Sequence, residues 1–544
     1  MGWAFAQQTM WVAVGDVHYA FDTQQIGKVP FADGTSFTAQ GKTFAVSEVD
    51  SIYVTATQSY DNVVNVKYSG TTARIEVAGN IAKNLDVSTI GAHVTIIQDS
   101  TVNEEITYNL SGTSPDGSFT HDGDFKISLT LNALNLTSLS GPAIDMRTGK
   151  RIFVNLTAGT TSRLADAPGT HNACMIVNGH AEVRGDGNLV LTGNAKHAYS
   201  CDEYLEFKKT FNGTLTVANA VQDAFHINQY LELKHGSVVV TACGEDAVQI
   251  DKKKDLSKEY NGQFIMSGGS LVANVTGNGA KGIKCEGDVV VSGGTLTINH
   301  TGGPETDAEG DTKWPMCIKT DADVALGAVV MTLTAMGEGG RGITADSTFA
   351  VNSGTFIINS ANYAMYAKKM FSIKGGKIYA VVNGDAIASA TDLFVQGGTN
   401  VVYSTGAGRA LSATNNFYLN GGFTLAVSRQ VQLPASHTKS QAAMIYHGVV
   451  PAGTSMALNN IAGGNVLAFK QLRDYGSDSV NIIMSAAAIT KGVQHTLYTG
   501  ATINEALSNW QQFYYGGNVT TADGTPLPGA SGITAVAPYA LMGN

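Results

Sequence analysis

A chain of 544 residues exceeds the roughly 250–300 at which a single core stops growing, so it holds several domains or one elongated repeat. With 62 Gly, 11 Pro, 43% apolar and only 14% charged residues, it reads as strands and turns, neither helical nor disordered. At a net charge of −10 no basic run resembles a phosphate-tracking surface, which argues against a nucleic-acid partner, and an anionic polymer would need local cations or a metal.

The chain begins with a segment in which Ala4-Phe5-Ala6 ends like a signal-peptidase site, so residues 1–6 read as the stump of a trimmed signal. An ordinary disordered terminus is the alternative, since the basic and apolar parts of a signal are missing. No apolar run reaches membrane-spanning length. Residues 7–58, with Trp11, Tyr19, Phe21 and the stretch Phe44 to Tyr53, form a small N-terminal β unit.

From about residue 60 to 430 the chain repeats. A small residue followed by alternating apolar positions recurs at Ala173, Ala198, Ala224, Ala247, Gly282, Cys317, Gly342, Ala364, Ala386 and Ala410, in steps of 25, 26, 23, 35, 35, 25, 22, 22 and 24. Seven residues beyond these landmarks comes a second apolar pair, as in Leu205/Phe207, Val289/Val291, Phe349/Val351 and Phe417/Leu419. A glycine pair and a third apolar strand follow, as in Gly293-Gly294 before Leu296/Ile298. Three short strands per coil, each with period-2 burial, predict an all-β, three-faced parallel β-helix, expected to be right-handed and similar to pectate-lyase-like solenoids. The rival β-propeller needs about 40 or more residues per blade. Residues 431–544 lose the period and are expected to form a C-terminal β cap. The five cysteines, Cys174, Cys201, Cys243, Cys285 and Cys317, are odd in number and scattered, which suits small buried thiols rather than a disulfide framework.

On the first strand of each coil, positions one and three after the landmark point inward, so positions two and four face out. Position two gives Ser200, His226, Gln249, Lys284, Lys319, Thr344 and Tyr366; position four gives Asp202, Asn228, Asp251, Glu286, Asp321 and Asp346. Stacked carboxylates repel and need water, a cation or a metal. Lys284 and Lys319 neighbour Glu286 and Asp321, which suits a salt-bridged solvated face. Asp202, Glu203, Asp223, Asp246 and Asp251 lack that company and are candidate Ca²⁺ ligands, because Ca²⁺ takes hard oxygen donors. Alternatively, Asp223 and Asp246 merely satisfy turn amides.

Two coils are 35 residues long. One insertion, 251–261, carries Lys252, Lys253, Lys254 and Lys258; the other, 300–314, carries Glu305, Asp307, Glu309, Asp311 and Trp314. In a regular helix these loops are expected to wall a cleft floored by His226, Gln249, Lys284 and Lys319. The acids of the second loop either wrap a cation or form a flexible acidic loop. Tyr204 and Tyr230, stacked on the next face with Glu206 and Glu232, are either sugar platforms or surface packing.

The segments Gly141–Arg147, Lys196–Tyr204, Asp223–Tyr230, Lys281–Gly287 and Asn465–Lys470 together resemble bacterial carbohydrate-binding-domain proteins with polysaccharide-lyase-like β-helices, over residues 60–544. The resemblance implies a secreted or cell-surface protein, calcium held by acidic residues on the coils, and non-catalytic binding of an acidic polysaccharide such as polygalacturonate. The family stretch usually ends in Asp where this chain has Asn228, which removes a carboxylate from that expected metal site. The segment around Asp50 resembles N-terminal modules of secreted Bacteroidetes-type proteins.

Three other functions compete with the binder. A lyase would draw its base from Lys281, Lys284, Lys319 or Arg341, with Ca²⁺ neutralising the uronate. A hydrolase is suggested only by Gly244–Ile250, without the partner elements that chemistry needs. A structural surface adhesin would need nothing beyond the uninterrupted ladders.

Overall fold

The computed structural model describes residues 8–32, 34–57, 59–460, 465–503, 509–515 and 524–543; the stump expected at 1–6 lies outside them. The described chain is all-β apart from two short 3₁₀ turns, and none of its helices is long and apolar enough to cross a membrane. It divides into two compact units, 1–261 and 262–544, and each contains a parallel β-solenoid.

In the first unit, Thr9–Val14 pairs antiparallel with Val17–Asp22 and Ser51–Thr55. The segment expected to stand apart does not. Val17–Asp22 runs parallel to Thr72–Ala78, whose hairpin partner Val63–Ser69 runs parallel to Ile106–Ser114. The reason is that an edge strand with apolar inward residues is best covered by another strand. Beyond this start, each coil contributes three strands. One coil is His197–Cys201, Leu205–Phe211 and Thr214–Ala220; the next begins Phe225–Ile227, Tyr230–Leu233 and Ser237–Val240, in parallel register throughout.

The second unit continues the pattern. Lys281–Cys285, Met316–Thr320, Arg341–Ala345, Met365–Ala367, Ile387–Ser389 and Leu411–Ala413 form one parallel column. Its neighbour column carries the second apolar pairs, and Val289, Val324, Phe349, Phe371, Leu393 and Phe417 are all buried. Stacking turns them into ladders, and Phe349 lies on Phe371 at 4.3 Å with planes 6° apart. The second glycine of each pair makes the turn: Gly294, Gly376, Gly398 and Gly422 all have φ between 81° and 89°, a region side chains avoid. Past residue 430 the parallel stacking ends. Phe423–Ser428 is covered antiparallel by Val480–Ser485, which also pairs with Ala443–Gly448, so the last coil does not expose unpaired amides.

Candidate functional site

Small buried landmarks at Ala198, Ala224 and Ala247 let three first strands of the first unit stack closely, and the residues at positions one and three beyond them are buried. Register then aligns Ser200 with His226 and His226 with Gln249 on the outer side. This outer row is less open than alternation predicts: Ser200 is 4% and Gln249 8% exposed. Asn172 donates to the Ser200 hydroxyl at 2.8 Å, and the Gln249 amide donates to Asp251.

His226 is the residue of this row that reaches solvent, with 26% of its side chain exposed. Its Nδ1 lies 2.9 Å from Asp223 Oδ2 and its Nε2 lies 3.5 Å from Asp251 Oδ2. Asp223 Oδ1 accepts the Asp246 backbone N–H at 2.9 Å, so the turn-amide reading of Asp223 describes one of its oxygens. Beside it, His197 stacks on His226 at 4.5 Å and accepts the Asp223 backbone N–H at Nδ1. Burial pushes His197 down to about 4, against the opposing pull of Asp223, so the ring is neutral near neutral pH. His197 occupies the same position as Asp223 and Asp246, one residue before the small landmark, and that column was the signal by which the sequence could have found it.

Among the described residues, the metal-type donors that gather are His197, Asp223 and His226, with their atoms within 4.8 Å of one another. The five carboxylates expected to hold Ca²⁺ do not fit that ion as arranged. Glu203 is spent on His180 at 2.8 Å and Lys258 at 3.2 Å, and Asp202 accepts from Asn228 at 3.1 Å. Asp223 faces two imidazoles, whereas Ca²⁺ takes about six to eight oxygen ligands. Nor does the trio suit a transition metal, because near-parallel rings, 24° apart, cannot both aim in-plane lone pairs at one ion about 2.0–2.1 Å away. The arrangement is an Asp-oriented histidine beside a second, neutral one.

Tyr204 and Tyr230 do stack, at 4.7 Å and 14°. They are not open platforms, because His180 covers the other face of Tyr204 at 4.4 Å and Tyr260 lies edge-on to Tyr230 at 5.5 Å. Tyr230 is 6% exposed and its hydroxyl donates to Glu206 at 2.8 Å. The stacked glutamates Glu182, Glu206 and Glu232 are relieved by interleaved lysines: Lys208 bridges the first two and Lys234 the last two. Burial alone would raise the Glu206 carboxyl, but hydrogen bonds from Lys208, Tyr230 and Lys234 hold it below its usual range. The 251–261 loop folds onto this network through Lys258 and Tyr260 and leaves Lys252 and Lys254 exposed.

In the second unit, Lys284 and Lys319 are register neighbours. Lys319 is held by Asp321 at 2.7 Å and Asp346 at 3.0 Å, while Lys284 is exposed. Arg341 lies between the rings of Trp314 at 5.4 Å and Tyr363 at 5.6 Å. The acidic insertion is a hairpin pairing Glu305–Thr306 with Thr312–Lys313, and its acids belong to no metal-type cluster among the described residues. The two insertions lie in different units, so the shared cleft expected of them is not a feature of either unit.

A family described as carbohydrate-binding domain-containing protein matches residues 91–385 and 331–466, together more than half of the chain. No curated protein matches it. A solved structure of a polysaccharide lyase-like protein from C. thermocellum, a gadolinium derivative, is similar over 51% of this chain and 99% of that one, at 17% identity and a TM-score of 0.38.

Proposed function

The chain belongs to the carbohydrate-binding domain-containing protein family, and on that premise we propose that it is a non-catalytic binder of acidic polysaccharide. The family match is the observation that carries the carbohydrate; two features of the coils support the rest. Exposed Lys254 sets positive charge on the surface of the first unit in a chain of net charge −10, which suits uronate carboxylates. Two of the bases a lyase would draw on are engaged: Lys319 by two carboxylates, Arg341 by two rings. No step is assigned to Ca²⁺, since the candidate ligands are committed to other partners. A polymer of this kind places the protein outside the bacterial cell or on its surface.

A lyase is the second reading, favoured by one arrangement. Asp223 orients His226 through Nδ1, and Nε2, which lies 3.5 Å from Asp251 Oδ2, is the nitrogen a lyase would use as its proton acceptor. Incubation with polygalacturonate and neutral polymers, with Ca²⁺ or EDTA, separates the readings by pull-down and by ultraviolet absorbance of unsaturated uronate. Retention without product supports the binder, and EDTA is expected to leave it unchanged. Product that vanishes in His226→Ala establishes the lyase, and neither signal leaves a structural adhesin.

A further inference from the structure

The outer face near the start of the first unit holds a concave site of a different character. In the hairpin of Val63–Ser69 and Thr72–Ala78, Val64, Val66, Ile75 and Val77 are fully buried, so Asn65, Lys67, Arg74 and Glu76 point out. Parallel pairing extends them into two rows across four strands. One runs Glu76, Asn65, Asn109, Thr130; the other runs Arg74, Lys67, Ser111, Asn132. These eight side chains line a groove of about 540 Å³, within the range of ligand sites.

The concavity has a local cause. Immediately after the second row, Gly112 has φ 89° and Ala133 has φ 50°, and the register between Ile106–Ser114 and Ile127–Ser138 shifts there. Bulges of this kind bend strands and re-aim side chains. Only glycine fits at 112, where a Cβ would strike the Tyr68 carbonyl. Alanine at 133 holds its left-handed conformation against a steric penalty, the sort of strain that gathers at ligand clamps.

Charge and hydrogen bonding then name the ligand class. Lys67 stands directly opposite Arg74, a like-charge pair that is unfavourable unless an anion lies near. Arg74 is answered by Glu76 at 3.1 Å and Tyr53 at 3.3 Å, whereas Lys67 has no carboxylate partner among the described residues. Asn109 donates to Asn65 at 2.9 Å, which leaves amide groups of both, with Asn132 and Ser111, facing outward. An amide offers donors beside an acceptor, which matches sugar hydroxyls.

We propose that this groove is a second glycan site, in which Lys67 takes a uronate carboxylate and the Asn65–Asn109–Asn132 amides take hydroxyls. The site rests on the reading that the chain binds acidic polysaccharide. Asn65, Lys67, Arg74 and Glu76 lie before the family match, whereas Asn109, Ser111, Thr130 and Asn132 lie within it, so the charged half of the groove is not part of the matched region.

The test is calorimetric titration of the full chain with a short oligogalacturonate and with its methyl-esterified, neutral form. The comparison variants are Lys67→Glu, Asn109→Ala with Asn132→Ala, and Lys252→Ala with Lys254→Ala. The expected result is two ligands per chain, one of them weakened about tenfold or more by Lys67→Glu, as loss of a charged hydrogen bond requires. The acid form should be preferred at that site, and the loop variant should leave it intact. One ligand per chain, unchanged by Lys67→Glu but lost in the loop variant, overturns the second site and spares the broader reading. Equal affinity for the neutral form overturns the uronate assignment, and no binding of either form by the parent chain overturns both. Because Lys67 is exposed, an unchanged urea midpoint in the variant shows that the fold is intact.

Discussion

Two outer faces of the same unit treat their polar groups in opposite ways. On the coils from 197 to 251, carboxylates, histidines and lysines answer one another: Glu206 alone receives Lys208, Lys234 and Tyr230. In the 65–132 groove, Lys67, Asn132 and Ser111 are directed outward. Mixed charges repeated at the spacing of stacked strands find partners one coil away and spend themselves on stability. Amides beside Lys67, which has no carboxylate partner among the described residues, keep capacity for a ligand. Residues that look chemical in sequence are therefore not the ones most available.

The sharpest way to press this contrast is acid. Burial holds His121 and His197 down to about 4, against an ordinary 6.5. The unfolded chain takes up protons below about 6.5 while these folded rings do not, so their contribution is full above that pH and is lost as pH falls from 6.5 towards 4. A shift of this size is worth about 3 kcal/mol per ring. The urea midpoint should drop steeply across that window, and His197→Asn should flatten the slope. The groove contains no histidine, so uronate binding by folded protein should persist to pH 5. A flat stability profile would contradict the claim that these histidines are structural.

Asp223→Ala should follow, at about 3 kcal/mol, because it strands a buried Asp246 N–H and removes the carboxylate that faces His226 Nδ1. Lys67→Ala should cost less than about 0.5 kcal/mol, as expected for an exposed side chain. Equal losses in urea titrations would erase the difference between the faces.

The coil was legible because period-2 burial leaves a mark at fixed offsets, and the second apolar pairs are buried as their alternation demands. What the outward residues touch was not legible. One partner of Glu203 is Lys258, 55 residues away, and Lys208 reaches Glu182 only because coils stack in register. The groove escaped for another reason: Asn, Ser and Thr line any strand surface, and only the bends at Gly112 and Ala133 distinguish this one. The joining of the N-terminal strands to the coil sheet depends on edge pairing, which leaves no periodic trace.

Tyr230→Phe tests the same network more gently. Removing a hydroxyl that donates to a carboxylate should cost about 1.5–2 kcal/mol, while the ring stack with Tyr204 survives. If sugar instead used this tyrosine, the variant would lose binding without losing stability, and the two readouts taken together decide which face the ligand meets.

A small effect is expected at Ala133, where stability and binding should move in opposite directions. Glycine accepts φ 50° without a Cβ clash but costs more backbone entropy on folding. Ala133→Gly should therefore raise the urea midpoint by no more than about 1 kcal/mol equivalent. The same change frees the bend next to Asn132, so the groove is less pre-organised and uronate affinity should fall. If affinity were unchanged while stability rose, the bend would be a feature of the coil alone, and the concave wall it makes would not be shaped for a ligand.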